Sequence, residues 1–358
     1  MRLKEHDRKL FSLLPAGLAL GHHANPAACI KVEQQYALPV LLSGLSALVL
    51  KKSETNMIST CYKNTMQRLM KLHDRTSDCA VYFLAGSLPG KAFLHLRQLS
   101  LFLMICHLPN DPLHALARTT LIQGKPSGKS WFQEIREICI LYDLPHPLTL
   151  LHSPPPKPTF KKLCRAKVHD YWHVKLSSEA TSLRSLEYLR PAFLSLSRPH
   201  PIFTSLDGNP YQAKAAKVQA LFLSGRYYTE KLCRFWSENK GGFCLLDSCK
   251  SMNICKTLEH IVLQCTGLSE TRRRLLRFTS DYVAAHPYIS EIVWTYLYSD
   301  SGKVVMQFLI DCSVLPMVIL AYKKHGTTVH AHLFRITRTW CKSLHRDRLR
   351  ALGRYAKN

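Results

Sequence analysis

Four side chains suited to holding a metal ion stand within 22 residues of one another: Cys244, Cys249, His260 and Cys265, spaced C-x4-C-x10-H-x4-C. Zn²⁺ favours a tetrahedron of thiolate sulfur and imidazole nitrogen, and two short ligand pairs joined by a loop close one without help from a distant part of the chain. With all four corners supplied by protein no position is left for water. The ion would therefore be structural, fixing a small loop-and-helix module with too little apolar surface to hold itself together. Cys255 lies in the same stretch. It is the alternative to Cys249, but it stands only five residues before His260 and leaves little chain for the turn. Thirteen cysteines in 358 residues also cluster by chance, which is the reading without a metal.

The elements that must present these ligands can be read from the neighbouring residues. Thr257 is placed to cap a short helix over Leu258 to Gln264, putting His260 in the first turn and Cys265 just past the end. Ser269 would cap the next helix, with Leu275, Phe278, Tyr282 and Val283 facing inward and Arg272, Arg273, Arg274 and Arg277 around them. The last helix, about Ala331 to Leu349, sets Leu333, Ile336, Trp340 and Leu344 on one stripe and Arg335, Arg338, Lys342 and Arg346 around the rest. These eight cations are the candidate phosphate contacts, although a run of arginines is equally a solvated helix face.

The composition points the same way. Lys plus Arg total 49 against 24 Asp plus Glu, a formal net charge of +25 spread along the chain. A surface this basic attracts polyanions, and RNA or DNA is the leading partner. Hydrophobic content of 46% is enough for packed cores, so this is no disordered basic tail. The odd, unpaired scatter of cysteines fits reduced thiols in an intracellular protein, nuclear or cytoplasmic, better than a secreted disulfide framework. The apolar stretch Leu10 to Leu20 is interrupted by Pro15 and preceded by Glu5 and Asp7, which argues against a signal peptide. Tyr36 to Leu50 is apolar but too short to span a bilayer, so a buried helix is expected and no membrane span.

Helical spacing dominates, and the fold class is mainly α. Asn25-Pro26, Asp111-Pro112 and Asn209-Pro210 each pair a capping side chain with proline at the first helical position. From Ser53 the apolar positions recur at three and four (Ile58, Cys61, Tyr62, Met66, Leu69), and the pattern resumes from Phe93 to Cys106. Six prolines between Pro145 and Pro158 predict a stiff linker that holds the first helices away from the remainder of the chain. Beyond it, Thr159 to Leu176 should bury Phe160, Leu163, Tyr171 and Trp172. Val304 to Tyr322, broken at Pro316, is expected to be buried.

Several blocks together resemble the region C-terminal to the palm of the reverse transcriptase in LINE-type (non-LTR) retrotransposon proteins. They are YALPVLLSGL (Tyr36 to Leu45), LHDRTSDCAVYFLAGSLP (Leu72 to Pro89), SWFQEIREIC (Ser130 to Cys139), SRPHPIF (Ser197 to Phe203), NPY (Asn209 to Tyr211), LSGRYYTEKLCRFW (Leu223 to Trp236), the Cys/Cys/His/Cys cluster, and ITRTWCKSLHR (Ile336 to Arg346). The resemblance covers nearly the whole chain. It departs from the family at Ser43, where a tyrosine is expected, and in a longer gap between Cys249 and His260. It implies a helical thumb-like bundle (1–144), the linker (145–158), a helical segment with a proline-punctuated loop (159–240), a CCHC zinc module (241–268) and a basic helical end (269–358). It also implies element RNA and target DNA as partners in target-primed reverse transcription.

The catalytic parts of such an enzyme are not in this sequence. Reverse transcription holds two metal ions on an adjacent aspartate pair, and no Asp-Asp occurs; Tyr296 to Asp300 (YLYSD) offers one carboxylate. Gly128-Lys129-Ser130 ends like a P-loop, but Gln123 stands where the first glycine is required. The expectation is a non-catalytic nucleic-acid-binding chain with no small-molecule substrate. The alternative is a helical protein-interaction scaffold with a structural zinc.

Overall fold

The computed structural model describes residues 2–12, 24–123, 130–227, 244, 246, 249 and 257–353. The apolar stretch beyond Ser12, the Gly-Lys-Ser loop at 124–129, most of the Leu223 to Trp236 block and Cys255 lie outside them. The described residues are mainly helical and contain no strand. The first part comprises α1 (Arg2–Ser12), α2 (Pro26–Val32), α3 (Leu38–Leu42), α4 (Lys52–Met70), α5 (Asp78–Ala85), α6 (Gly90–Cys106), α7 (Pro112–Gln123), α8 (Trp131–Leu141) and α9 (Pro147–His152). It continues through α10 (Lys157–Ser182), α11 (Pro201–Thr204) and α12 (Pro210–Leu223). After the cysteine-rich stretch come α13 (Ser269–Ala284), α14 (Ser290–Leu297), α15 (Gly302–Ile310), α16 (Pro316–His325) and α17 (Thr327–Ala351).

The three caps before proline form as their chemistry requires. The side-chain oxygens of Asn25, Asp111 and Asn209 accept from the N–H groups of Ala27, Leu113 and Tyr211 at 2.8–2.9 Å. Ser130 caps α8 through the N–H of Gln133. Ser269 does not cap: it is already the first residue of α13, and Leu268, with no side-chain oxygen, holds the cap position.

Helix α5 is the centre of the first part. Its run from Cys79 to Ala85 is buried without interruption, under α4 and α10. It ends at Gly86, whose φ of 59° is left-handed and whose missing side chain matters twice. A Cβ there would lie 1.8 Å from the carbonyl oxygen of Arg198. The segment Ser197 to Phe203 thus lies directly on the end of α5, and the N–H of His200 donates to the carbonyl of Leu84 at 3.0 Å. Two blocks of the sequence resemblance are in this way one contact.

Two expectations for this part give way. Pro145 to Pro158 is no spacer: Pro147, Leu150 and Leu151 are buried in α9, and α10 then packs on α5 and α6. Apolar side chains between the prolines outweigh the stiffness of the prolines themselves. Tyr36 to Leu50 is not one buried helix either. A π-helical turn at Glu33–Ala37 leads into α3, Gly44 turns left-handed, and Leu48 and Val49 finish exposed. Leu163 also faces outward on α10, while Phe160 and Trp172 are buried.

The second part is built around α12, which lies along α17. Buried glutamines join its members: Gln219 Nε2 donates to the carbonyls of Leu309 and Ile310 and lies 2.9 Å from Thr337 Oγ1. Gln307 Nε2 donates to the carbonyls of Tyr188 and Asp311. In the interior such amide donors answer carbonyls that end helices or leave turns, which would be costly without a partner. The Val304 to Tyr322 stretch divides as its proline predicts. Val305 to Leu315 is buried, whereas in α16 only Val318 is. Leu333, Ile336, Trp340 and Leu344 form the buried stripe of α17.

Candidate metal centre

Thr257 receives the N–H of His260 on its hydroxyl at 3.1 Å, the expected cap. The next helix widens into a π turn over His260–Gln264 and closes with the N–H of Cys265 donating to the carbonyl of His260 at 2.6 Å. This five-residue bond sets His260 and Cys265 at the two ends of one turn. On the other side, Cys249 closes a tight turn onto the carbonyl of Leu246. All four predicted ligands come together. Cys244, Cys249, His260 and Cys265 are buried, and one donor atom from each lies within 4.8 Å of every other.

The spacing fits a tetrahedral ion. Zn–S bonds of about 2.3 Å at tetrahedral angles place sulfurs about 3.8 Å apart. The sulfur of Cys265 is 3.9 Å from that of Cys244 and 3.8 Å from that of Cys249. The cluster can therefore hold a metal ion.

The electrostatics of the corner also favour a cation. Burial and the neighbouring sulfurs of Cys244 and Cys249 push the Cys265 thiol up to about 12, as expected for sulfurs gathered with no positive charge among them. A divalent ion bonded to the same atoms reverses that effect and deprotonates them. Cys249 is already prepared: burial raises its pKa, but the hydroxyl of Thr266, 3.1 Å away, and the N–H groups of Thr266 and Gly267 outweigh burial and bring it down to about 7. Thr266 and Gly267 were not among the sequence candidates, and the only signal for them is that they come directly after a ligand cysteine. Ligand atoms oriented by an outer set of donors are the usual construction of a metal site.

The eight candidate cations separate into different environments. Arg272 donates to the carbonyl of Cys265 at 2.6 Å and so braces the metal corner. Arg273 and Arg277, both exposed, pair with Glu270. Arg274 and Arg346 converge on Asp347, which also accepts from the Thr271 hydroxyl. Lys342 lies over the ring of Tyr211, and exposed Arg335 over that of Tyr282.

Arg338 corrects the sequence expectation. It is 1% exposed, with its guanidinium donating to the carbonyls of Phe334 and Ser205. A group so enclosed cannot reach a phosphate; it ties α17 to the turn before α12. The helical period put it among the outward cations, but a long side chain can fold back along its own helix to a carbonyl one turn earlier. Asp347, the anion that gathers Arg274 and Arg346, was likewise missed.

Among the described residues no helix is long and apolar enough to cross a membrane. No protein-family model matches the chain, and neither a curated protein nor a solved structure matches it.

Proposed function

We propose that the chain is a nucleic-acid-holding module of the kind found C-terminal to the palm in LINE-type reverse transcriptases, with a structural Zn²⁺ at Cys244, Cys249, His260 and Cys265 and no catalysis of its own. The observation that carries the reading is the buried four-donor cluster at tetrahedral spacing, standing where the ordered sequence blocks call for a zinc knuckle. The ion would hold the π turn and the start of α13 in place, and with them the arginines on that helix.

Arg273, Arg277 and Arg335 are the exposed cations best placed to meet phosphate. The pairing of the first two with Glu270 is no obstacle. Exposed ion pairs are worth about 0–1 kcal/mol, so a phosphate backbone exchanges for the carboxylate at little cost. Converting the three to Gln should lower the log–log salt slope of single-stranded RNA or DNA binding by about 2, at roughly 0.7 per phosphate released. Circular dichroism should be unchanged, since Gln is nearly as good a helix former as Arg.

The internal pairing of Arg274 and Arg346 through Asp347 favours the second reading, a protein-interaction scaffold in which cations serve the fold. That reading expects weak binding and a shallow salt slope in the unaltered chain. Such a result would remove the nucleic-acid assignment and leave the metal site standing.

A further inference from the structure

A second group of metal-binding side chains lies in the first part of the chain, on α1 and α4. His6 and Asp7 are neighbours on α1, and Cys61 stands on α4. His6 Nδ1 is 3.8 Å from the sulfur of Cys61 and 3.7 Å from Asp7 Oδ1, and the three donor atoms all lie within 4.8 Å of one another. Tetrahedral Zn²⁺ with ordinary bond lengths sets nitrogen and sulfur about 3.6 Å apart and nitrogen and oxygen about 3.4 Å apart. The observed separations are a few tenths of an ångström longer, a difference that rotation about the Asp7 and Cys61 side chains closes.

The opposite edge of the same ring supplies the second observation. His6 Nε2 is 3.3 Å from Glu33 Oε1, and both side chains are fully buried. A carboxylate receiving the second nitrogen of an imidazole favours the proton on Nε2, so a divalent ion that displaces the proton from Nδ1 meets the ring in its metal-binding tautomer. That is the carboxylate–histidine–metal arrangement by which proteins orient histidine ligands. The other oxygen of Glu33, Oε2, is buried and accepts no hydrogen bond from the described residues. A buried carboxylate left half satisfied is costly, and a cation nearby lowers that cost. Glu33 sits at the start of the π turn, which ties this placement to an irregularity of the backbone.

We propose that His6, Asp7 and Cys61 form a second divalent-metal site, selective for Zn²⁺ or Co²⁺ among common ions, with Glu33 as the positioning residue behind His6. One nitrogen, one sulfur and one oxygen suit a borderline-soft ion and poorly suit Mg²⁺ or Ca²⁺. Asp7 is 46% exposed, so the site opens to water on its side. Three protein donors leave the fourth position for solvent, unlike the closed set around Cys265.

The test is metal stoichiometry of the full chain with Zn²⁺ or Co²⁺ as the probe. The unaltered protein should hold two ions, and Cys61→Ser should hold one. With Co²⁺, the ion lost in Cys61→Ser should carry the weaker thiolate charge-transfer band, having one sulfur where the other site has three. Asp7→Asn, a change at a half-exposed position that leaves the buried pair intact, should weaken only this ion. Glu33→Gln should reduce its affinity about 10- to 100-fold while the other ion is unaffected. A single ion in the unaltered chain that Cys61→Ser retains, or two ions retained at unchanged affinity in both Cys61→Ser and Asp7→Asn, overturns the proposal. Loss of an ion from Cys265→Ser with the Cys61-dependent ion retained separates failure of one site from failure of the other.

Discussion

From Cys79 to Ala85, α5 buries seven consecutive side chains, all apolar or aromatic but for one tyrosine hydroxyl and one thiol. Around Cys265, the buried groups among the described residues are three sulfurs and an imidazole, together with a few aliphatic residues such as Ile261, Val262 and Leu268. Helix α5 gains its stability from area removed from water and from close packing, terms that need no ligand and do not depend on pH. The cysteine corner gathers groups that repel one another once charged, and a metal ion between them would carry its stability. One region should be indifferent to chelators and intolerant of volume; the other should behave in the opposite way.

The largest effect is expected at the end of α5. Gly86→Ala places a methyl 1.8 Å from the Arg198 carbonyl in a left-handed conformation, so the segment carrying His200 must leave its seat. The cost should be on the order of 5 kcal/mol, read as a fall in the urea midpoint. Gly208→Ala is the control. Its φ of 82° is also left-handed, yet nothing lies within 4 Å of the added carbon. It should cost only about 1–2 kcal/mol. Equal losses in the two variants would mean that backbone conformation, and not the contact between α5 and Arg198, sets the penalty.

Removing the metal comes next. A metal ion held in the proposed site at a thousandfold over its Kd would stabilise the folded chain by about 4 kcal/mol, and a chelator or Cys265→Ser should remove that amount. Hydrogen exchange should quicken between residues 257 and 285 while the amides of α5 and α6 remain protected. Equal loosening of both regions would break the comparison.

Mild acid should give the smallest effect per residue; it acts on several buried histidines, His330 and His345 (both lowered to about 4 by burial) among them, and His95 is the case that one substitution tests. His95 on α6 faces the hydroxyl of Tyr142 at 2.8 Å, and that hydroxyl accepts from Trp172 Nε1 at 3.1 Å, which leaves its own proton available to the neutral ring. Burial, reinforced by Lys91, lowers the His95 pKa to about 3. The unfolded chain binds its proton near 6.5, so this contribution is complete above 6.5 and is lost as the pH falls from there toward 3. At pH 5.5 the loss should be about 1.4 kcal/mol. His95→Gln should abolish that part of the pH dependence while leaving acid release of the metal unchanged. A His95→Gln variant that loses as much stability between pH 7 and 5.5 as the unaltered, metal-saturated chain would refute it.

How much of this was legible in the sequence depended on the range of the interaction. Asn25, Asp111, Ser130, Asn209 and Thr257 act on N–H groups two or three residues away, and their roles were plain from spacing. The four-donor cluster was legible for a related reason, because donor type and short spacing nearly determine a closed site. Arg338 was not, since periodicity says which way a Cβ points and not where six further atoms go. The prolines before α10 misled because linker stiffness is local, while the burial of Leu150 and Leu151 depends on helices far off in sequence. His6 and Cys61 are 55 residues apart, and no spacing rule joins them.

The three bonds of Gln219 also carry a consequence in time. Its last partner, Thr337, is 118 residues further along the chain. At roughly 5–20 residues per second, a ribosome delivers that partner about 6 to 24 s after it has delivered α12. Throughout that interval α12 has no α17 to lie against, and the amide of Gln219 must find its acceptors in water or in other chains. The second part of the molecule is therefore most open to aggregation and to chaperone capture while it is being synthesised, and Thr337→Val should lower its soluble yield in rapid expression more than it lowers the stability of the finished fold.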